Sequence, residues 1–147
     1  MPTILFLAED DPLMSRMYER AFKASGYDIE MAHDGEEAIN KLEKMGKSPT
    51  VILLDIMMPK KNGFDVLRQI KLNEKLKHIP VVMLTNLAGQ EDAEKALSLG
   101  AVLYLVKSQY DPKEIVNKIK EIISASTHGS EAPSVSVEVK DIAEEKE

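Results

Sequence analysis

The order of its apolar runs constrains this chain more than any other feature. Short apolar segments recur between stretches with helical periodicity. Thr3–Ala8 is rich in Ile, Leu and Phe and reads as a buried strand, and Asp28–Ala32 reads as a weaker one. Val51–Leu54, Val81–Leu84 and Ala101–Val106 are again apolar and bounded by turn signals. Near-continuous apolar runs suit a parallel sheet covered on both faces.

Helices with clear punctuation lie between the strands. Asp11-Pro12 supplies an N-cap and an N1 proline, Met14, Met17, Tyr18 and Ala21 repeat at helical spacing, and Ser25-Gly26 stops the run. Met14, Met17 and Met83 read as core filler. Asp34 with Glu37 resembles a capping box ahead of Ala38, Leu42 and Met45. Phe64, Leu67 and Ile70 mark a third helix, and Gly89–Leu99 a fourth that ends at Gly100. Asp111-Pro112 with Glu114 repeats the cap signal before the stripe Ile115, Val116, Ile119, Ile122 and Ile123. Strand then helix, five times over, implies an α/β fold with right-handed crossovers. A doubly wound five-stranded parallel sheet fits this length; a barrel needs about eight such units.

In open α/β sheets, ligands bind beyond the carboxyl ends of the strands. Glu9, Asp10 and Asp11 follow the first strand, Asp55 the third, Thr85 the fourth and Lys107 the fifth. The topology therefore brings carboxylates, a hydroxyl and an ammonium to one edge. Clustered carboxylates repel one another, and a hard dication such as Mg²⁺, which prefers oxygen ligands, relieves that conflict. Asp55 then serves as a nucleophile toward phosphorus, with Lys107 and Thr85 placed to receive phosphoryl oxygens. Asp11, before Pro12, is explained by capping alone.

Composition excludes several alternatives. There is no cysteine among the 147 residues, so thiol catalysis and thiolate metal sites are out. The formal net charge of −6, from 19 basic and 25 acidic residues, disfavours direct binding to nucleic acid or to an anionic membrane. No apolar run approaches the roughly 20 residues of a membrane span, and no signal-peptide pattern opens the chain, so a cytoplasmic location is expected. His33, His78 and His128 lack ligand spacing with carboxylates. An aspartyl phosphatase would carry a second Asp where Met57 stands, and no Walker-type phosphate loop is present.

The stretches Ile4-Leu-Phe-Leu-Ala-Glu-Asp-Asp-Pro12, Leu53-Leu-Asp-Ile-Met-Met-Pro-Lys-Lys-Asn-Gly63, Val82-Met-Leu-Thr85 and Tyr104-Leu-Val-Lys107 resemble a response-regulator receiver domain of two-component signalling. The resemblance covers about Thr3 to Ile123. It implies a flavodoxin-like (βα)5 fold with strand order 2-1-3-4-5. It implies that Asp55 is the phosphoacceptor and that Glu9, Asp10, Asp55 and the Met57 backbone carbonyl hold Mg²⁺. Thr85 and Lys107 would contact the phosphoryl group, and Pro59 and Gly63 would shape the loop after Asp55. Tyr104 would be the switch aromatic, turning inward as Thr85 moves toward the phosphoryl group. The implied donor is a histidine kinase or a histidine phosphotransfer protein.

Two positions depart from the family pattern. Proline usually follows this lysine directly, whereas Lys107 is followed by Ser108-Gln109-Tyr110, so a trans peptide bond is expected there. Asn86 stands after Thr85 where a small residue is usual. Met57 and Leu87 flank the expected path of attacking water and cannot orient it by hydrogen bonding, so a long-lived acyl phosphate is expected. Met57 and Met58 are both expected to be partly exposed.

The expected organisation is a receiver domain over residues 1–124 and a flexible acidic tail over 125–147, in which Val135, Val137 and Val139 alternate. Too few residues follow the last expected helix for a helix-turn-helix module. The expected function is therefore a stand-alone phosphoacceptor, monomeric or dimerising on phosphorylation, that signals to an unknown protein partner without touching nucleic acid or membrane. A receiver-like scaffold that binds partners without phosphorylation is the alternative.

Overall fold

The computed structural model describes residues 3–127. Five strands and five helices alternate: β1 (Ile4–Ala8), α1 (Pro12–Ala24), β2 (Asp28–Ala32), α2 (Gly35–Lys44), β3 (Val51–Leu54), α3 (Gly63–Leu72), β4 (Val81–Thr85), α4 (Gln90–Ser98), β5 (Leu103–Val106) and α5 (Pro112–Thr127). All strand pairs are parallel, in the order β2-β1-β3-β4-β5. The doubly wound, flavodoxin-like sheet expected from the sequence is the observed fold.

Alternation along the strands divides the core. Phe6, Ala8, Ile52, Leu54, Met83, Tyr104 and Val106 point to one face, where residues of α2, α3 and α4 cover them. Leu5, Leu7, Leu53, Val82, Leu84 and Leu105 point to the other, beneath α1 and α5. A period-2 strand with apolar residues on both sides has to be covered twice. The five amphipathic helices do this.

The caps form as the sequence implies. Asp11 Oδ1 accepts from the backbone N–H groups of Leu13 and Met14, at 2.9 and 3.4 Å. Gly26 and Gly100 take left-handed φ values of 93° and 112° just past their helices, a conformation that costs glycine little. Two readings are corrected. Met17 lies toward solvent on α1, because Ser15, Tyr18 and Phe22 form the buried stripe and Met17 falls off it. Helix α5 continues to Thr127, past the expected boundary at residue 124, because Ser124-Ala125-Ser126-Thr127 contains no helix breaker. The remainder of the expected tail, with its alternating valines, lies outside the described residues.

Candidate functional site

The sheet order reverses between β1 and β3, and the candidate site lies beyond that point. Registers Ala8↔Leu54 and Thr85↔Val106 bring the strand ends level, so the residues that follow them share one edge. The Asp55 N–H donates to the Ala8 carbonyl at 3.1 Å, fixing the Asp55 backbone beside Glu9.

Among the described residues, the buried polar side chains are Glu9, Ser15, Asp55, Thr85 and Lys107. Ser15 is accounted for by its hydroxyl donating to the Pro12 carbonyl at 3.1 Å. The other four are the strand-end residues singled out in the sequence. Burying so many polar groups beside a hydrophobic core is costly unless each is paired.

The pairing centres on Lys107. Its Nζ lies 2.5 Å from Glu9 Oε1 and 2.8 Å from Asp55 Oδ2. Asp55 Oδ1 accepts from the Ile56 N–H at 2.7 Å and the Met57 N–H at 3.4 Å. Glu9 Oε2 accepts from the Asp11 N–H at 3.1 Å. Burial pushes the Glu9 pKa up, and Lys107 only partly offsets this. For Lys107, burial favours loss of the proton, but the hydrogen bonds and charges of Asp55 and Glu9 outweigh it and hold the pKa above its ordinary value. Lys107 is thus a firmly charged ammonium facing two carboxylates.

Lys107 reaches this position without a following proline. No cis peptide bond occurs among the described residues. The chain forms a 3₁₀ turn over Lys107–Gln109, and the Tyr110 N–H donates back to the Lys107 carbonyl at 3.3 Å. That turn leads into Asp111-Pro112 and leaves Ser108 exposed.

Asp10 is exposed at the rim, and carboxylate oxygens of Glu9, Asp10 and Asp55 lie within 4.8 Å of one another. Three converging carboxylates, one of them open to solvent, fit a hard dication that keeps part of its water shell. Met57 is 63% exposed on the loop after Asp55, whereas Met58 is buried, contrary to expectation. Successive side chains leave that loop on opposite sides, and Met58 joins the core beneath α2 and α3.

Thr85 is fully buried, and its Oγ1 accepts from the Leu87 N–H at 3.3 Å. Tyr104 is also fully buried, and its hydroxyl donates to the Leu87 carbonyl at 2.7 Å. Burial first, and then the charges of Asp92 and Asp55, push the Tyr104 pKa up, so the phenol stays protonated. Tyr104 already occupies the inward position that the sequence reading assigned to the phosphorylated state. Leu87, half-buried against the core, ties the two switch candidates together through its own N–H and carbonyl. The sequence reading missed this backbone bridge, because its side chain gives no sign of it. It also gave His33 no role; His33 Nδ1 lies 3.4 Å from the Glu9 carbonyl, a contact to backbone only. Asn86 is exposed.

The sequence matches the family model for the response regulator receiver domain over residues 5–120. It is 40% identical over 128 residues to the probable methanogenesis regulatory protein FilR2 of Methanothrix harundinacea, an alignment that covers 82% of this chain and 83% of that one. It is 32% identical over 127 residues to the transcriptional regulatory protein TrcR of Mycobacterium tuberculosis, covering 86% of this chain but only 48% of TrcR, about half its length. The fold superposes on the phosphorylated cyanobacterial phytochrome response regulator RcpA with a TM-score of 0.76 at 30% identity, covering 91% of this chain and 100% of that one.

Proposed function

This chain belongs to the response regulator receiver domain family of two-component signalling, and from that premise we propose that Asp55 accepts a phosphoryl group from the phosphohistidine of a histidine kinase or a histidine phosphotransfer protein. The observation that carries this reading is the convergence of Glu9, Asp10, Asp55 and Lys107 at one edge of the sheet.

A carboxylate oxygen of Asp55 attacks phosphorus. A P–O bond forms as the P–N bond to the donor imidazole breaks, and the departing nitrogen keeps the electron pair and takes a proton. The two backbone N–H groups on Asp55 Oδ1 orient the carboxylate for this attack. Lys107 exchanges its contact with Asp55 for a phosphoryl oxygen, so its charge stays neutralised throughout. The Thr85 hydroxyl accepts from Leu87 and keeps its own proton to donate to another phosphoryl oxygen. Glu9, Asp10, Asp55 and the Met57 carbonyl would hold Mg²⁺. When bound, the ion supplies charge neutralisation for the entering phosphoryl group.

Signalling follows from a shift between pre-existing states. Movement of Thr85 toward the phosphoryl group alters the Leu87 bridge, and with it the hold on Tyr104. The α4–β5–α5 face then changes for a protein partner. We place this activity in the cytoplasm and assign the domain no turnover beyond its own phosphorylation and dephosphorylation.

The test is incubation with Mg²⁺ and acetyl phosphate, read by intact-protein mass spectrometry, with Asp55→Asn as control. A single phosphoryl adduct, absent from Asp55→Asn, is expected. No Asp55-dependent adduct from either acetyl phosphate or a phosphorylated histidine donor would overturn the reading in favour of a phosphorylation-independent scaffold.

A further inference from the structure

Helix α1 carries two stripes at helical spacing, and the fold buries only one. Ser15, Tyr18 and Phe22 are buried, and the two rings join the core beneath α1 and α5. Leu13, Met17, Ala21 and Ala24 recur at steps of four, four and three, which sets them in a second, apolar stripe. Leu13 is 68% exposed and Met17 38%. Together with Pro112, the first residue of α5, this stripe lines a surface groove. A contiguous apolar stripe left open to solvent marks a contact surface.

The groove is edged by charge of one sign. Arg16 and Arg20 line it and are exposed, and among the described residues neither makes an ion pair. Glu19, the acid on this helix, is taken up by Lys23 at 3.0 Å. The occupant therefore has to bring apolar side chains and carboxylates together. A second copy docked by the same face does not, because it would set Arg16 and Arg20 against their like.

The chain itself supplies such a segment. Residues 128–147 follow α5 and hold six acids against two lysines. Val135, Val137 and Val139 alternate there with Ser134, Ser136 and Glu138, so an extended backbone shows the valines on one side. The lengths agree as well. Helices α1 and α5 both start at the strand ends that carry the site, so both finish at the opposite edge of the sheet. The chain therefore leaves α5 at the edge where Ala24 ends α1. From Leu13 to Ala24 the helix rises about 16 Å, and Val135 to Val139 spans about 13 Å when extended, with residues 128–134 left to make the turn. A segment tethered this closely meets the groove at an effective concentration on the order of millimolar, so contacts too weak to hold a separate peptide suffice.

We propose that the α1 groove is the docking site for residues 135–141 of the same chain. The valines lie on the stripe of Leu13, Met17, Ala21 and Ala24, and Glu138 and Asp141 pair with Arg16 and Arg20. None of these residues belongs to the phosphoacceptor site, so the contact is independent of the function proposed above.

The experiment uses the full chain. It has no cysteine, so Ser136→Cys takes a single nitroxide spin label, on the side of the segment turned away from the groove. The readout is methyl NMR intensity at Leu13 and Met17, with Leu72, 83% exposed on α3 across the sheet, as the reference. The Leu13 and Met17 signals are expected to be lost, and to return when ascorbate reduces the nitroxide, while Leu72 is unchanged. Two sets of substitutions should each restore most of the signal in the labelled chain: Arg16→Glu with Arg20→Glu, and Val135→Ser with Val137→Ser and Val139→Ser. An equal loss in an equimolar mixture, with label and isotope on different chains, would place a second copy in the groove and overturn the proposal. So would no loss in the labelled chain, a matching loss at Leu72, or a loss that survives either set of substitutions.

Discussion

The Nζ of Lys107 lies 2.5 Å from Glu9 and 2.8 Å from Asp55, so a single ammonium balances two buried carboxylates that are 98 and 52 residues away in the chain. Removing it leaves two buried like charges facing each other without a counter-charge. Lys107→Ala is expected to cost about 3 kcal/mol in urea-induced unfolding without Mg²⁺, the scale of breaking a buried ion pair from one side. Added Mg²⁺ should restore part of that loss, because an ion that binds only the folded state adds stability by mass action. A loss that is indifferent to Mg²⁺ would contradict the metal assignment.

Tyr104 and Leu87 offer a separable test. Tyr104→Phe removes the hydroxyl that donates to the Leu87 carbonyl at 2.7 Å and is expected to cost about 1 kcal/mol. Tyr104→Ala empties a fully buried ring site and should cost about 3–5 kcal/mol by the same unfolding measurement. Equal losses in the two variants would show that the ring packs less tightly than its burial implies.

The α2 cap predicts a pH dependence. Glu37 accepts from the His33 N–H at 2.7 Å while its own N–H donates to Asp34 at 2.7 Å. That backbone hydrogen bond first, and then Lys41, lower the Glu37 pKa from its ordinary value of 4.5. A carboxylate with a depressed folded-state pKa stabilises the fold above its unfolded value and loses this as pH falls through the folded value. The melting-temperature gap between wild type and Glu37→Gln should therefore be largest above pH 4.5 and shrink below it. A gap that does not change between pH 3 and pH 7 (roughly the carboxylate range) would refute the assignment.

The residues over the site bear on the lifetime of the phosphorylated form. Met57 is exposed beside Asp55 and Leu87 is half-buried next to Thr85, and neither side chain can orient an attacking water. Met57→Asn with Leu87→Glu should speed loss of the phosphoryl group about tenfold, one positioned hydrogen bond at 1.4 kcal/mol per decade. Dephosphorylation followed by mass spectrometry after removal of the phosphodonor measures this directly. A rate no faster in the double variant would remove these two residues from the account.

The strands were readable to within two residues at their ends because alternation and turn residues act locally. The expected Asp28–Ala32 and Val51–Leu54 are the observed β2 and β3. The Asp11, Asp34 and Gly100 signals were readable for the same reason, since a cap is an interaction within three or four residues. Met17 and Met58 were misjudged because their exposure depends on which stripe of a helix, or which side of a loop, meets the rest of the fold. Spacing alone does not give that angle.

The sequence by itself determined the order of elements, the two-faced sheet and the residue types at each strand end, all products of short-range periodicity and capping. Only the tertiary structure decided that the Lys107 ammonium joins Glu9 to Asp55, that a 3₁₀ turn follows Lys107, and that Tyr104 sits inward on Leu87. Each of those depends on distances of a few ångströms between segments remote in sequence. Such distances come from packing two helical layers against one sheet, and no local pattern encodes them.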